Sequence, residues 1–105
     1  MDFKYYHRVA MEHSVLRSAE EEIQYGVLNT ASEAGEIAGK FAKSVRDETD
    51  LDKHEIMKEM GDVLWSLSVL AEGMGETLDT VAELNLVKIR GRKSRGTIGG
   101  SGDDR

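Results

Sequence analysis

The chain has 105 residues, with 14 Lys and Arg against 20 Asp and Glu for a formal net charge of −6, and it contains no proline and no cysteine. That composition excludes a disulfide scaffold, a thiolate metal site and a cysteine nucleophile, and the acidity argues against general nucleic-acid binding through a basic surface. The charge is unevenly placed: residues 1–87 carry 18 acids and 8 bases, net −10, whereas residues 88–105 carry 6 bases and 2 acids, net +4. The length is that of one domain, and a core this small favours self-association. The apolar run Val63–Trp65 is far too short for a bilayer span, which needs about 20 residues. The opening Met1-Asp2-Phe3-Lys4 does not read as a signal peptide, so a soluble cytoplasmic protein is expected.

The elements follow from capping residues and apolar spacing. The lack of proline suits uninterrupted helices, since proline costs about 3 kcal/mol inside one. Asp2 is an acceptable N-cap for a first helix with Phe3, His7, Ala10 and Met11 on one side. His7 there reads as a satisfied core histidine. A second helix is expected from about Glu21 to Arg46, where Ile23, Val27, Thr30, Ala34, Ile37, Phe41 and Val45 recur at steps of three and four. Residues 47–51 read as a polar turn. Asp52 with Glu55 resembles a capping box that starts a third helix near Lys53. That helix should run to about Glu72 on a stripe of Ile56, Met60, Val63, Leu67 and Leu70. Trp65 falls outside the stripe and is expected against a partner subunit or a nucleobase. Gly73 and Gly75 punctuate the end, and Thr77 should cap a fourth helix holding Leu78, Val81, Ala82, Leu86 and Ile89. The chain turns Gly-rich and basic from Gly91. Residues 96–105 are expected to form a flexible tail on a 1–95 domain. No repeat and no β alternation is visible, so the fold class is an all-α, four-helix domain.

The acids are arranged along the helices. Asn29, Glu33, Glu36 and Lys40 fall within about a 60° strip of the second helix, beside its apolar stripe, and Glu55, Glu59, Asp62 and Ser66 do the same on the third. Packing the two stripes together would bring the carboxylates to the edge of the core, where they repel unless a divalent cation joins them. All-oxygen ligands suit Mg²⁺ or Mn²⁺ rather than zinc. A solvated acidic face is the competing reading. Gly35 and Gly61 lie inside the pattern at a cost of about 1 kcal/mol each relative to Ala, which suggests close approach of another helix or a ligand there.

The fourth helix supplies the complement. Asn85, Lys88 and Arg92 share a face continuous with Leu78, Val81 and Ile89, suited to holding a polyanion; favourable interaction with the helix macrodipole is the plainer account of the cations. Several other motifs fail. His54-Glu55 lacks the second histidine of a zincin, because position 58 is Lys. Neither His13 nor His54 has a Glu three residues before it, as a di-iron carboxylate centre requires. The glycine-rich end lacks the Lys-Ser/Thr and following helix of a P-loop.

Glu33-Ala-Gly-Glu36, 22 intervening residues and Glu59-Met-Gly-Asp62 form an ExxE…ExxD pattern. With Ala31–Ile37, Lys58–Trp65 and the Gly75–Lys88 stretch around it, the pattern resembles the MazG-like all-α nucleoside triphosphate pyrophosphohydrolases over roughly residues 20–95. The resemblance implies Mg²⁺-dependent (Mn²⁺ being the alternative) hydrolysis of a nucleoside triphosphate between the α and β phosphates, to a nucleoside monophosphate and pyrophosphate, in nucleotide-pool house-cleaning. Carried over by position, it makes Glu33, Glu36, Glu59 and Asp62 the metal ligands; a carboxylate of the same cluster would accept the proton from water, and Glu36 is the candidate. It gives Asn85, Lys88 and Arg92 contacts to substrate phosphate or sugar, and Glu55 a supporting or merely capping role. It further implies a dimer or dimer of dimers whose partner helices complete the bundle. Two other readings share the fold: a non-catalytic nucleotide- or metal-sensing oligomer, and a structural helical oligomer with a solvated acidic face.

Overall fold

The computed structural model describes residues 1–103; Asp104 and Arg105, the last two residues of the expected tail, lie outside the described residues. Four helices follow one another, α1 Phe3–Glu12, α2 Ala19–Asp47, α3 Lys53–Gly73 and α4 Leu78–Arg95, with no strand among the described residues. The all-α expectation holds. No helix among them is long and apolar enough to cross a membrane.

Each helix start has an identifiable cause. Asp2 accepts a hydrogen bond from the Tyr5 N–H at 2.8 Å, satisfying one of the free donors of a first turn. Helix α2 begins two residues earlier than expected because Ser18 is its N-cap, accepting from the Glu21 N–H, and three glutamates follow in the first turn. Asp52 caps α3 by accepting from the N–H groups of His54 and Glu55. The Glu55 carboxylate turns to Lys58 Nζ at 3.0 Å instead of completing a capping box. Gly75, with φ of 76°, closes α3 in a Schellman arrangement: its N–H donates to Glu72 O and the Glu76 N–H to Ala71 O. Helix α4 runs through Gly91 to Arg95 and stops at Gly96, whose φ of 71° lets the Thr97 N–H return to Arg92 O.

The start of α4 corrects one expectation. Thr77 occupies the N-cap position but makes no side-chain cap bond. Its hydroxyl lies 3.3 Å from that of Thr80, and the Leu78 N–H, the first of the helix, donates to Nδ1 of His7, 3.1 Å away on α1. Since Nδ1 accepts, the proton sits on Nε2 and donates to Glu72 of α3 at 2.6 Å. His7 is buried with both ring nitrogens used, and this one side chain ties α1, α3 and α4 together.

Helices α2 and α3 pack antiparallel along their length, and α1 lies across α3 and the start of α4. The tightest crossing is at Gly26, where a Cβ would lie 2.7 Å from Leu70 N. A second close approach is at Gly73, against Ala19 O and Ile23. At Gly35 and Gly61, by contrast, an added Cβ would meet nothing within 4 Å, so no helix of this chain approaches closely there. Trp65 also differs from expectation. It packs within its own chain, edge-on to Tyr25 with centroids 6.1 Å apart, and its Nε1–H donates to Ala10 O.

The face of α2 turned to α3 is rotated from the expected stripe towards its polar neighbours. Gly26, Asn29, Thr30, Glu33, Ile37 and Lys40 are buried or half-buried, whereas Val27, Phe41 and Val45 are exposed. Residues 83–90 of α4 are all exposed too, and α4 makes no contact with α2 among the described residues. The radius of gyration, 16.3 Å, exceeds the roughly 13 Å of a compact chain of this length. The accessible surface, 7645 Å², likewise exceeds the roughly 5,800 Å² expected from the mass.

A carboxylate cluster between two helices

Because α2 and α3 run antiparallel, one set of opposed positions follows another along the seam. Tyr25 lies beside Trp65, Gly26 against Leu70, Asn29 against Ser66, Glu33 near Asp62, and Lys40 near Glu59. Glu33 thus meets Glu59 and Asp62, and one carboxylate oxygen from each can lie within 4.8 Å of the others. Two unit charges at that spacing repel by about 1 kcal/mol in water and about 3–4 kcal/mol at an effective dielectric constant of 20.

The chain relieves this only in part. Lys40 Nζ sits 3.8 Å from Glu59 Oε1. Glu33 has no such cation among the described residues: partial burial first, then repulsion from Asp62, Glu59 and Glu36, hold its carboxyl above the ordinary carboxylate range. Tyr6 reaches the same region from α1, and burial together with the Asp62 charge raises its phenol. The three carboxylates fit a hard divalent cation, since they offer only oxygen, from two rigid helices, with charge left uncompensated.

Glu33 supplies a direct test of that strain. A group whose proton affinity is raised by folding stabilises the fold at pH values below its unfolded pKa, and that contribution disappears as pH rises through the folded value. At neutral pH the ionised Glu33 is therefore a net cost to the metal-free protein. Glu33→Gln should raise the Tm of the metal-free protein at pH 7, while millimolar Mg²⁺ should raise the Tm of the wild type and barely move the variant. Calorimetry with and without chelator checks both.

The remaining candidate residues are distributed as follows. Glu36, one turn beyond Glu33, is exposed and lies outside the converging group of three, although its charge is felt at Glu33. Asn85 and Lys88 line an open groove of about 450 Å³ on α4 with Val81, Leu84 and Val87. Lys88 and Arg92 both hold Asp103 through Oδ1, at 3.0 and 3.4 Å, and Lys88 followed by Arg92 keeps that carboxyl below its usual range. Arg92 Nη2 also donates to the carbonyls of Gly102 and Asp103. Among the described residues α4 does not touch α2, which carries Glu33, and no hydrogen bond or ion pair joins Asn85, Lys88 or Arg92 to the carboxylate cluster. Sequence reasoning missed Gly26 and the Asn29–Ser66 bond. The second was signalled by the presence of both residues in the acidic strips.

An all-α fold whose two longest helices oppose an ExxE and an ExxD segment defines the class, and it is that of the MazG proteins. The model of the MazG nucleotide pyrophosphohydrolase domain matches residues 21–96, so the chain belongs to that family. It is also 40% identical over 89 residues to the Gene 37 protein of Mycobacterium phage L5, an overlap covering 81% of this chain and 78% of that protein. No solved structure matches significantly.

Proposed function

We propose that the protein hydrolyses a (deoxy)nucleoside triphosphate at the α–β phosphate bond, releasing a nucleoside monophosphate and pyrophosphate, as a house-cleaning activity on a cytoplasmic nucleotide pool. The observation that carries this reading is the convergence of Glu33, Glu59 and Asp62 from two helices, in a chain of this family. These residues, with Glu36 beside them, would hold Mg²⁺ or Mn²⁺. Such an ion supplies charge neutralisation at the phosphates and a more acidic water.

The chain's own groups account for the rest of the step. Water oxygen bonds to the α-phosphorus, the α–β bridging bond breaks, and the leaving pyrophosphate takes the bond's electron pair. Glu36, exposed and one turn from Glu33, takes the proton lost by water. Lys40 steadies Glu59 and keeps the local charge from rising further. Lys88 and Arg92 already hold a carboxylate in the free chain, which supports their use, with Asn85, as an oxyanion-binding face for the triphosphate or sugar.

In this reading that face comes from a second copy of the chain, because among the described residues no hydrogen bond or ion pair joins it to the carboxylates within one chain. The exposed apolar residues of α4 (Val81, Leu84, Val87) and the surface excess of roughly 1,800 Å² over a compact monomer support a homodimer or dimer of dimers. Incubating the protein with each NTP and dNTP plus Mg²⁺, and ranking them by kcat/KM for pyrophosphate release, tests the proposal. Pyrophosphate from at least one nucleotide supports it. Mg²⁺-dependent binding without any product would favour a sensing module instead.

A further inference from the structure

We propose that Asn29 and Ser66 are positioning residues that hold the carboxylate cluster in register for its cation; this rests on reading Glu33, Glu59 and Asp62 as a divalent-cation site. Ser66 is 0% exposed in the middle of α3, and its hydroxyl donates to Asp62 O at 2.9 Å. A hydroxyl has one proton, so the remaining partner must be a donor. That partner is the Asn29 amide Nδ2 on α2, 2.8 Å away. The chain of bonds therefore runs from α2, through a dry hydroxyl, to the backbone of a ligand residue.

The placement gives the link its effect. Asn29 precedes Glu33 by one helical turn, and Ser66 follows Asp62 by one turn. The edge-on Tyr25–Trp65 pair and the Gly26–Leu70 crossing set how closely the helices pack, and the Asn29–Ser66 hydrogen bond adds a fixed donor–acceptor register between them. Repulsion between Glu33 and Asp62 pushes the helices apart when no cation is present, and the Asn29–Ser66 hydrogen bond, one turn from both, opposes it alongside the Lys40–Glu59 ion pair. Groups that orient metal ligands in this way typically change affinity 10–100-fold when removed.

A buried serine nearby provides the control. Ser68 is also 0% exposed and donates to Leu64 O at 3.0 Å, so Ser68→Ala removes a similar hydroxyl without touching the α2 link. Mn²⁺ affinity should be measured by electron paramagnetic resonance on the full chain, together with the Tm of each variant. Asn29→Ala and Ser66→Ala should each weaken Mn²⁺ binding about 10-fold, and the double variant should be no worse than the weaker single, because both act through one bond. Ser68→Ala should stay within about twofold of wild type even where its Tm falls as far. Unchanged Mn²⁺ affinity in Ser66→Ala, or an equal loss in Ser68→Ala, overturns the positioning role alone. A wild-type protein that binds no Mn²⁺ overturns the cation site, and this proposal with it.

Discussion

Glu59→Gln should lower kcat/KM for pyrophosphate release by at least about 100-fold, or about 2.7 kcal/mol of transition-state stabilisation, while leaving the fold intact. Glu59 is the centre of the cluster: it lies within reach of Glu33 and Asp62 and is the carboxylate paired with Lys40. Glutamine keeps the shape and the packing but halves the oxygen donors and removes the charge, so the loss is of cation binding and not of structure. Removing one of several clustered negative charges should, if anything, raise the Tm of the metal-free protein. Added Mn²⁺ should restore little, since a harder or softer ion cannot replace a missing ligand charge. A variant retaining wild-type turnover would mean that the cluster is a surface feature. Circular dichroism and a Mg²⁺ titration of the rate separate loss of fold from loss of site.

Gly26→Ala should destabilise the protein by about 1–3 kcal/mol, the usual range for overpacking, even though alanine is the better helix former. The two effects oppose one another. Alanine gains about 1 kcal/mol of helix propensity over glycine, but its methyl would lie 2.7–2.8 Å from the backbone N, Cα and Cβ of Leu70. A helix backbone cannot yield as a flexible side chain can, so α2 and α3 must separate or slide. Either movement reaches the carboxylates, two turns along the same seam, so cation affinity should fall together with stability. Gly35→Ala and Gly61→Ala provide the contrast. Each meets open space in the single chain, so the propensity gain stands unopposed and chemical denaturation should show stability equal to or above wild type. Lost activity in a stable Gly35 or Gly61 variant would place substrate or a partner helix against those positions.

The sequence made the helices legible because their signals are local. Asp2 and Asp52 cap as residue type and spacing require, and the period of the apolar residues separates helix from strand without tertiary information. The acidic site was legible for a related reason: residues three apart on a helix share a face, whatever that helix packs against. Glu33, Glu59 and Asp62 could therefore be named together before any contact between α2 and α3 was known.

What escaped was set by contact between helices. Glycine carries no side chain to show which neighbour approaches it, so Gly35 and Gly61 drew attention beside the acids while the close crossing fell at Gly26. Thr77 had the residue type and the position of a cap, yet its hydroxyl pairs with that of Thr80, and the first N–H of the helix is met by a histidine 71 residues away. The apolar period on α2 predicted a face, but Val27, Phe41 and Val45 remain exposed, because among the described residues α3 is the one helix that packs on α2. Gly91 opens the Gly-rich, basic stretch of the sequence, yet the helix passes through it and stops at Gly96, where the backbone turns left-handed. A single glycine weakens a helix; a positive φ ends it.

Hydrolysis in water enriched in ¹⁸O, with Mg²⁺ and the preferred nucleoside triphosphate, tests the central claim most directly. Attack at the α-phosphorus places the label in the nucleoside monophosphate and leaves pyrophosphate unlabelled, and mass spectrometry of the two products should show that pattern. Label in pyrophosphate, orthophosphate as the primary product, or no hydrolysis of any nucleotide would contradict it.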